Sequence, residues 1–351
     1  MHRKPESRVR TGAYRALVWR ITLIGSFAPH HAAAQMPPVG FIDVYGARRH
    51  PVDQIRQASG LRVGDAVTRS TMSAAKMRLK AVPGVHEVWV DANCCLAGKT
   101  IMYVGVLDDT SSAISFRKAP NGDVHLTPDI IDAEDALAAA REAAMARGMM
   151  EEDDSRGHAL MRDSAGRRIQ EGLVVLAARH LGLLKKALSD ARDPKDRAMA
   201  AEVMGYAADK RVVVQDLMVA VYDPEETVRN NAIRALAVIA KFARANPELG
   251  IVVSPVPFID LLNSLVWTDR NKALFLLAEL TRPRDPKLLR MIAERAMPSL
   301  IEMGRWQNLG HAGFALQILG RIAGLSDTEI SSAIARGDRE EIIGAASRRI
   351  H

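Results

Sequence analysis

The sequence predicts a small α+β domain of order β-α-α-β-β followed by an all-α solenoid of stacked helical pairs. Three observations predict this. Between Val39 and Asp108 the apolar period switches from strand-like to helix-like and back. Farther on, the quartet Arg197, Ala200, Met204 and Gly205 returns with the same spacing as Arg229, Ala232, Leu236 and Ala237, and again as Arg270, Ala273, Leu277 and Ala278. A fourth copy, Ala312, Ala315, Leu319 and Gly320, keeps the small and apolar positions without the Arg, and the offsets of 32, 41 and 42 residues fall in the range of helical repeats. Asp-Pro also recurs at 193, 223 and 285, where Asp is expected to cap a helix and Pro to take its first turn.

From the N-terminus, residues 1–34 read as a secretory signal: basic MHRKPESRVR, apolar ITLIGSFA, then HAAAQ with Ala32 and Ala34 as the small residues of a cleavage site. The apolar run from Ile21 to Ala28 is about eight residues, well short of the ~20 a membrane-spanning helix needs. An uncleaved N-terminal anchor is the alternative. The segment carries six Lys/Arg against one Glu, so its removal takes the formal charge from +7 to +2. Most of the apparent basicity therefore belongs to export, which argues against a nucleic-acid partner.

Residues 35–118 form the α+β domain. The run VGFIDVYG is a strand, PVDQIRQASGL a helix, and Met72, Ala75, Leu79 and Val82 mark one face of a second helix for which Ser70 is the expected cap. VHEVWVD and TIMYVGVLD follow as strands. Two helices cover one face of such a sheet, leaving an edge or the opposite face for a partner peptide unless the helical part of the chain covers it. Cys94 and Cys95 are adjacent and match no metal motif; packed thiols are the simpler expectation, a vicinal disulfide the other.

Residues 119–166 connect the two parts. Thr127 and Pro128 suit a helix start, the Ala-rich run to Arg147 should be helical, and Glu151 to Asp154 reads as a solvated acidic loop because the spacing of a calcium loop is missing. Residues 167–351 form the solenoid, in which Ala200, Ala232 and Ala273 are expected where helices approach most closely.

On "IDVYGARRHPVDQIRQASGLRVGD" and "LKAVPGVHEVWVD" the first domain resembles a POTRA domain of the FtsQ type, the module that precedes outer-membrane barrels and occurs in division proteins. No barrel follows here, so the transport role of barrel-linked relatives is not implied. On "VRNNAIRALA" the solenoid resembles HEAT repeats, particularly the short repeats of the phycobilisome-lyase type. That resemblance raises an enzymatic alternative, since some such relatives attach bilins, but no residue here carries it.

The sequence contains no G-x-S-x-G, H-E-x-x-H, G-x-G-x-x-G or Walker loop. No catalytic, cofactor-binding or metal-binding residue is expected, and no cofactor. Structural or interaction roles fall to Arg197, Arg229, Asn230, Asn231 and Arg270, which can hydrogen-bond adjacent repeats; to His158, which opens the repeat region beside acidic residues; and to Trp267 and Trp306, near helix ends. The functional expectation is an exported, periplasmic, non-catalytic scaffold or adaptor in envelope biogenesis, with protein partners near the cell envelope. The alternative is an enzyme whose site lies on the concave face of the solenoid. Convergent polar groups in a pocket would favour the enzyme and a broad groove the scaffold.

Overall fold

Strand β1 (Val39–Tyr45) is followed by helices α1 (Val52–Ser59) and α2 (Arg69–Lys80) and by strands β2 (Glu87–Leu96) and β3 (Lys99–Leu107), the element order expected from the period. The computed structural model describes residues 36–110, 113–149 and 151–349; the candidate export signal lies outside them. In the sheet β3 is central, parallel to β1 and antiparallel to β2. Helix α2 is capped two residues earlier than expected: Thr68, not Ser70, accepts the N–H of Thr71, and Thr71 returns a bond to the Thr68 backbone.

Both faces of the sheet are buried. On one face Val44, Val90, Met102, Val104 and Val106 pack with Ile55, Leu61, Ala75 and Leu79 of the two helices and their loops. The other face, with Tyr45, Ile101 and Tyr103, joins the core of the helical region. The run TIMYVGVL is apolar on both sides of the pleat because both sides meet protein. Only edges remain for a partner, and β2 pairs with no strand other than β3 among the described residues. Cys94 and Cys95, near the β2–β3 turn, are exposed rather than packed, with their sulfurs against each other as in the vicinal-disulfide alternative.

After an extended stretch, α3 (Pro128–Ala146) begins at Pro128 with Thr127 in the N-cap position. The acidic stretch is not a free loop. Glu152–Asp153 form β4, paired with β5 (Leu160–Met161), and Arg234 and Lys241 bind Glu152 and Asp154.

Five helical pairs follow: α4 (Ser164–Asp190) with α5 (Pro194–Met204), α6 (Val214–Ala220) with α7 (Glu226–Ala245), α8 (Val256–Leu261) with α9 (Trp267–Leu280), α10 (Pro286–Gly304) with α11 (Leu309–Ala323), and α12 (Asp327–Arg336) with α13 (Arg339–Arg348). The second helices stack side by side in the order α5, α7, α9, α11, α13, the arrangement of a helical repeat solenoid. Ala200, Ala232, Ala273 and Ala315 are all fully buried in this stack, as their spacing requires. Asp193 and Asp285 cap α5 and α10 with Pro in the first turn. At Asp-Pro 223 the helix starts two residues later than at the other copies, with Glu225 as N-cap; the Asp223 carboxylate still accepts the Glu225 N–H while also binding Arg197 and Arg117.

Replacing Ala232 by Asp forces a charge into a fully buried position of this stack, where the nearest arginine of the same helix, Arg229, is already paired with Asp269. A loss of at least several kcal/mol is expected. It is read as a fall in denaturation midpoint; an unchanged midpoint would remove Ala232 from the core and undo the repeat register.

Candidate functional site

The Arg positions of the repeats are buried and used between repeats. Arg197 forms a bidentate pair with Asp223, Nε and Nη2 each 2.9 Å from an oxygen, while its Nη1 donates to the carbonyls of Ala191 and Arg192 just before its own helix. Arg229 does the same one repeat on, with Asp269 at 2.9 Å twice and the carbonyls of Asp223 and Pro224. Arg270 donates to the Ser264 carbonyl and, through Nη1, to Glu302 Oε2 at 3.1 Å. The three guanidiniums form a ladder in which each arginine closes the turn before its own helix and grips a carboxylate beyond it. Burial alone would raise the Asp223 carboxyl; hydrogen bonds from Arg197 and Arg117 hold it below its ordinary range.

The ladder also receives the N-terminal part of the chain. Arg117, on the extended stretch before α3, binds Asp223 and the carbonyls of Leu188 and Ser189, and the Phe116 ring lies 4.1 Å from the Arg229 guanidinium. Arg270 sits 4.6 Å from the Tyr45 ring. Trp267 stacks on Tyr103 at 4.5 Å and donates its indole N–H to Asp91, while Trp306 packs edge-on against both Tyr45 and Tyr103. Both tryptophans are buried anchors between sheet and helices. Gly46 turns the chain here with φ +81°, and its N–H reaches Glu302; a Cβ would strike the Val106 carbonyl.

The remaining expected residues lie on the exposed side of the second-helix layer. Asn231 donates to the Ala198 carbonyl and toward Glu202, and Asn230 to Asn231. His158 is half-buried against Tyr206 and 3.5 Å from Lys210 Nζ, and burial, aided by Lys210, brings it down to about 4. Lys210 is itself buried, donates to the carbonyls of Gly205 and Ala207, and is drawn by burial to about 8. The space enclosed by His158, Glu202, Tyr206, Asn231 and Arg234 is about 20 Å³, on the scale of one water molecule. These polar groups converge, but on one another. Among the described residues no cluster of His, Cys, Asp and Glu is placed to hold a metal ion.

Composition gave no hint of the next feature. Aligned by repeat, Glu202, Arg234, Phe275 and Gln317 occupy one position of the layer, and Met199, Asn231, Lys272 and Phe314 another. Glu202 is covered by Arg141 of α3, and Arg234 by Glu152 of the β4–β5 hairpin. At α9 this covering stops among the described residues: Phe275 is 38% exposed and meets the edge of Phe314, at 5.3 Å. Lys272 stands beside them with no ion pair among the described residues, and burial draws its ammonium down to about 8.

No protein-family model matches the sequence, and comparison with curated proteins gives no match. Among solved structures, a computationally designed armadillo-repeat protein for modular peptide recognition is 16% identical with TM-score 0.36, covering 53% of this chain and 94% of that one. A designed armadillo-repeat protein in complex with a (KR)4 peptide is 15% identical with TM-score 0.35, covering 54% and 95%.

At the covered end of the layer, Glu134 of α3 is buried beside Glu202. Burial first, then the Glu202 charge, raises it to about 8 from 4.5. The folded chain thus holds a proton that the unfolded chain releases above about pH 4.5, so this group's stabilising contribution is complete below that pH and is lost as pH rises through about 8. Glu134→Gln should flatten the decline and stabilise the protein at pH 8.5 by on the order of 1–3 kcal/mol. Urea denaturation at pH 6 and 8.5 checks this; equal slopes for both chains would show that Glu134 is ionised in the fold.

Proposed function

We propose that the protein is a non-catalytic protein-binding repeat scaffold whose partner docks on the uncovered face of α9 and α11. One observation carries this reading: the chain covers the equivalent face of α5 and α7 with its own α3 and acidic hairpin, and among the described residues that covering stops at Phe275 and Phe314. The occupant that matches is a protein segment with an apolar side chain for the Phe pair and a carboxylate for Lys272, repeating what Glu152 does for Arg234 one repeat earlier. The free edge of β2 offers a second attachment, for an extended stretch. An enzyme on this layer has less support, since its converging polar groups enclose only about 20 Å³.

A photoreactive residue at position 275, introduced in the full chain in living cells, should give a discrete protein adduct, while one at Val175, exposed on α4, should not. Lys272→Glu should abolish the adduct. The interaction measured with the identified partner should weaken as pH rises through about 8, because the Lys272 ammonium that a carboxylate requires is then lost. Equal labelling from both positions, or turnover of a small molecule by a chain that captures nothing, would defeat the scaffold reading.

The finer reading adds location. The order of basic, apolar and small-residue segments in residues 1–34 supports export to the periplasm and a scaffold role in envelope biogenesis, and the sequence of the first domain supports a POTRA-like module. No helix among the described residues is long and apolar enough to cross a membrane. Intact-mass measurement should find a chain beginning at Gln35; retention of Met1 in an envelope fraction would indicate an anchor instead.

A further inference from the structure

At the ends of α9 and α11 farthest from the sheet lies an open cleft of about 700 Å³, walled by α10 and by the turns that follow α9 and α11. Arg284, Arg290, Arg321 and Arg349 line it, against Glu294 as the one acid among its described lining residues. Three of these guanidiniums are held in place, two by the C-terminal ends of α9 and α11 and one by the turn into α12. Arg321 Nη1 donates to the Ala278 carbonyl and Thr281 Oγ1, Arg349 Nη1 to the Ala323 carbonyl at 2.7 Å, and Arg284 to the Leu325 carbonyl and Asp327. Such fixing costs the site little rearrangement when a ligand arrives.

The cationic charge in this cleft is not used up by the fold. Arg321 is 4% exposed, yet its Nε–H has no hydrogen-bond acceptor; the nearest carboxylate oxygen, on Asp327, is 3.7 Å away. Arg290 forms no ion pair among the described residues. Burial first, and then the charges of Arg282 and Arg284, work against protonated Arg321 despite Asp327, the condition of a site that an anion would relieve. Arg284 is also held at φ +59°, a left-handed conformation unfavourable for a residue with a Cβ, in the turn that presents it. Leu289, Ala293 and Ile322 supply an apolar wall beside these charges.

We propose that this cleft binds an amphiphilic anion, its carboxylate or phosphate head on Arg290, Arg321 and Arg349 and its hydrocarbon body on Leu289, Ala293 and Ile322. Guanidinium forks match both heads, and the apolar wall distinguishes such a ligand from a bare inorganic ion.

Calorimetric titration of the full chain tests it with octyl phosphate, octanoate, octylammonium and inorganic phosphate. Octyl phosphate or octanoate should bind saturably, octylammonium should not, and inorganic phosphate should bind at least about tenfold more weakly because it leaves the apolar wall wet. Arg290→Glu should weaken the anion at least about tenfold. This side chain is exposed and unpaired, so the melting temperature should not change, which separates loss of the site from loss of the fold. Vesicle flotation with phosphatidylglycerol distinguishes the two sources of such a head: co-flotation lost in Arg290→Glu assigns it to a bilayer, and octyl phosphate binding without co-flotation to a free molecule. Absence of saturable binding, equal binding of octylammonium or inorganic phosphate, or full affinity in Arg290→Glu overturns the proposal.

Discussion

The architecture depends on carboxylate–guanidinium pairs buried between successive repeats. A helical pair has an apolar face that it cannot bury alone, and stacking supplies a neighbour without fixing the angle or register at which the neighbour sits. Arg197 and Arg229 remove that freedom: each binds the carbonyls just before its own helix and, bidentately, a carboxylate beyond it. Fork-on-carboxylate geometry tolerates little displacement. Net stabilisation from a buried pair is modest after desolvation, but loss of one partner strands the other charge and costs roughly 3–5 kcal/mol. The ladder therefore penalises misplaced repeats more than it strengthens correct ones.

The acceptor changes from step to step, and the changes record how the rest of the chain was added. Asp223 in a loop serves Arg197, helical Asp269 serves Arg229, and Glu302 of α10 serves Arg270. His311 stands where the repeat alignment would place another Asp, and its imidazole, brought to about 4 by burial and by Lys272, instead meets the Tyr103 hydroxyl at 2.6 Å. The last step of the ladder is thus completed from both sides of the sheet–helix junction, since Glu302 also receives Arg48 and the Gly46 N–H. Arg117 joins the first step in the same way. Chain segments far apart in sequence are fixed by the groups that hold the repeats together.

Element order, repeat register and buried small residues were legible because each is a local or periodic property. Ala200, Ala232 and Ala273 fell where spacing placed them. The ladder arginines were legible as a recurrence, whereas their acceptors were not, because Asp269 and Glu302 occupy no common repeat position. Asp223 was legible only in part: like the other two it accepts the N–H two residues on, but the helix begins later and its main partners, two arginines from elsewhere, left no local signal. The unbroken apolar run of β3 carried the information that both faces of the sheet are buried, but a short run of that kind does not say what covers the second face. The hairpin around Glu152 was unreadable for the same reason, since its partners Arg234 and Lys241 lie some eighty residues away.

The uncovered aromatic pair follows from this same economy. Positions facing out of the second-helix layer carry no packing duty, so their chemistry is set by whatever lies over them. Where α3 covers α5, that position is Glu202, matched to Arg141; where the hairpin covers α7, it is Arg234, matched to Glu152. A solvated helix face would favour charge at the next copy as well, yet α9 has Phe275 against Phe314 of α11, with a half-buried lysine that makes no direct ion pair among the described residues and feels Glu152 and Glu202 only at longer range. Exposed apolar surface beside a partly desolvated cation is unfavourable in water and becomes more favourable when an apolar group and a carboxylate arrive together. In the first two copies this layer is covered by other parts of the chain, and in the third, among the described residues, the same position presents aromatic side chains beside a lysine instead of a matched ion pair.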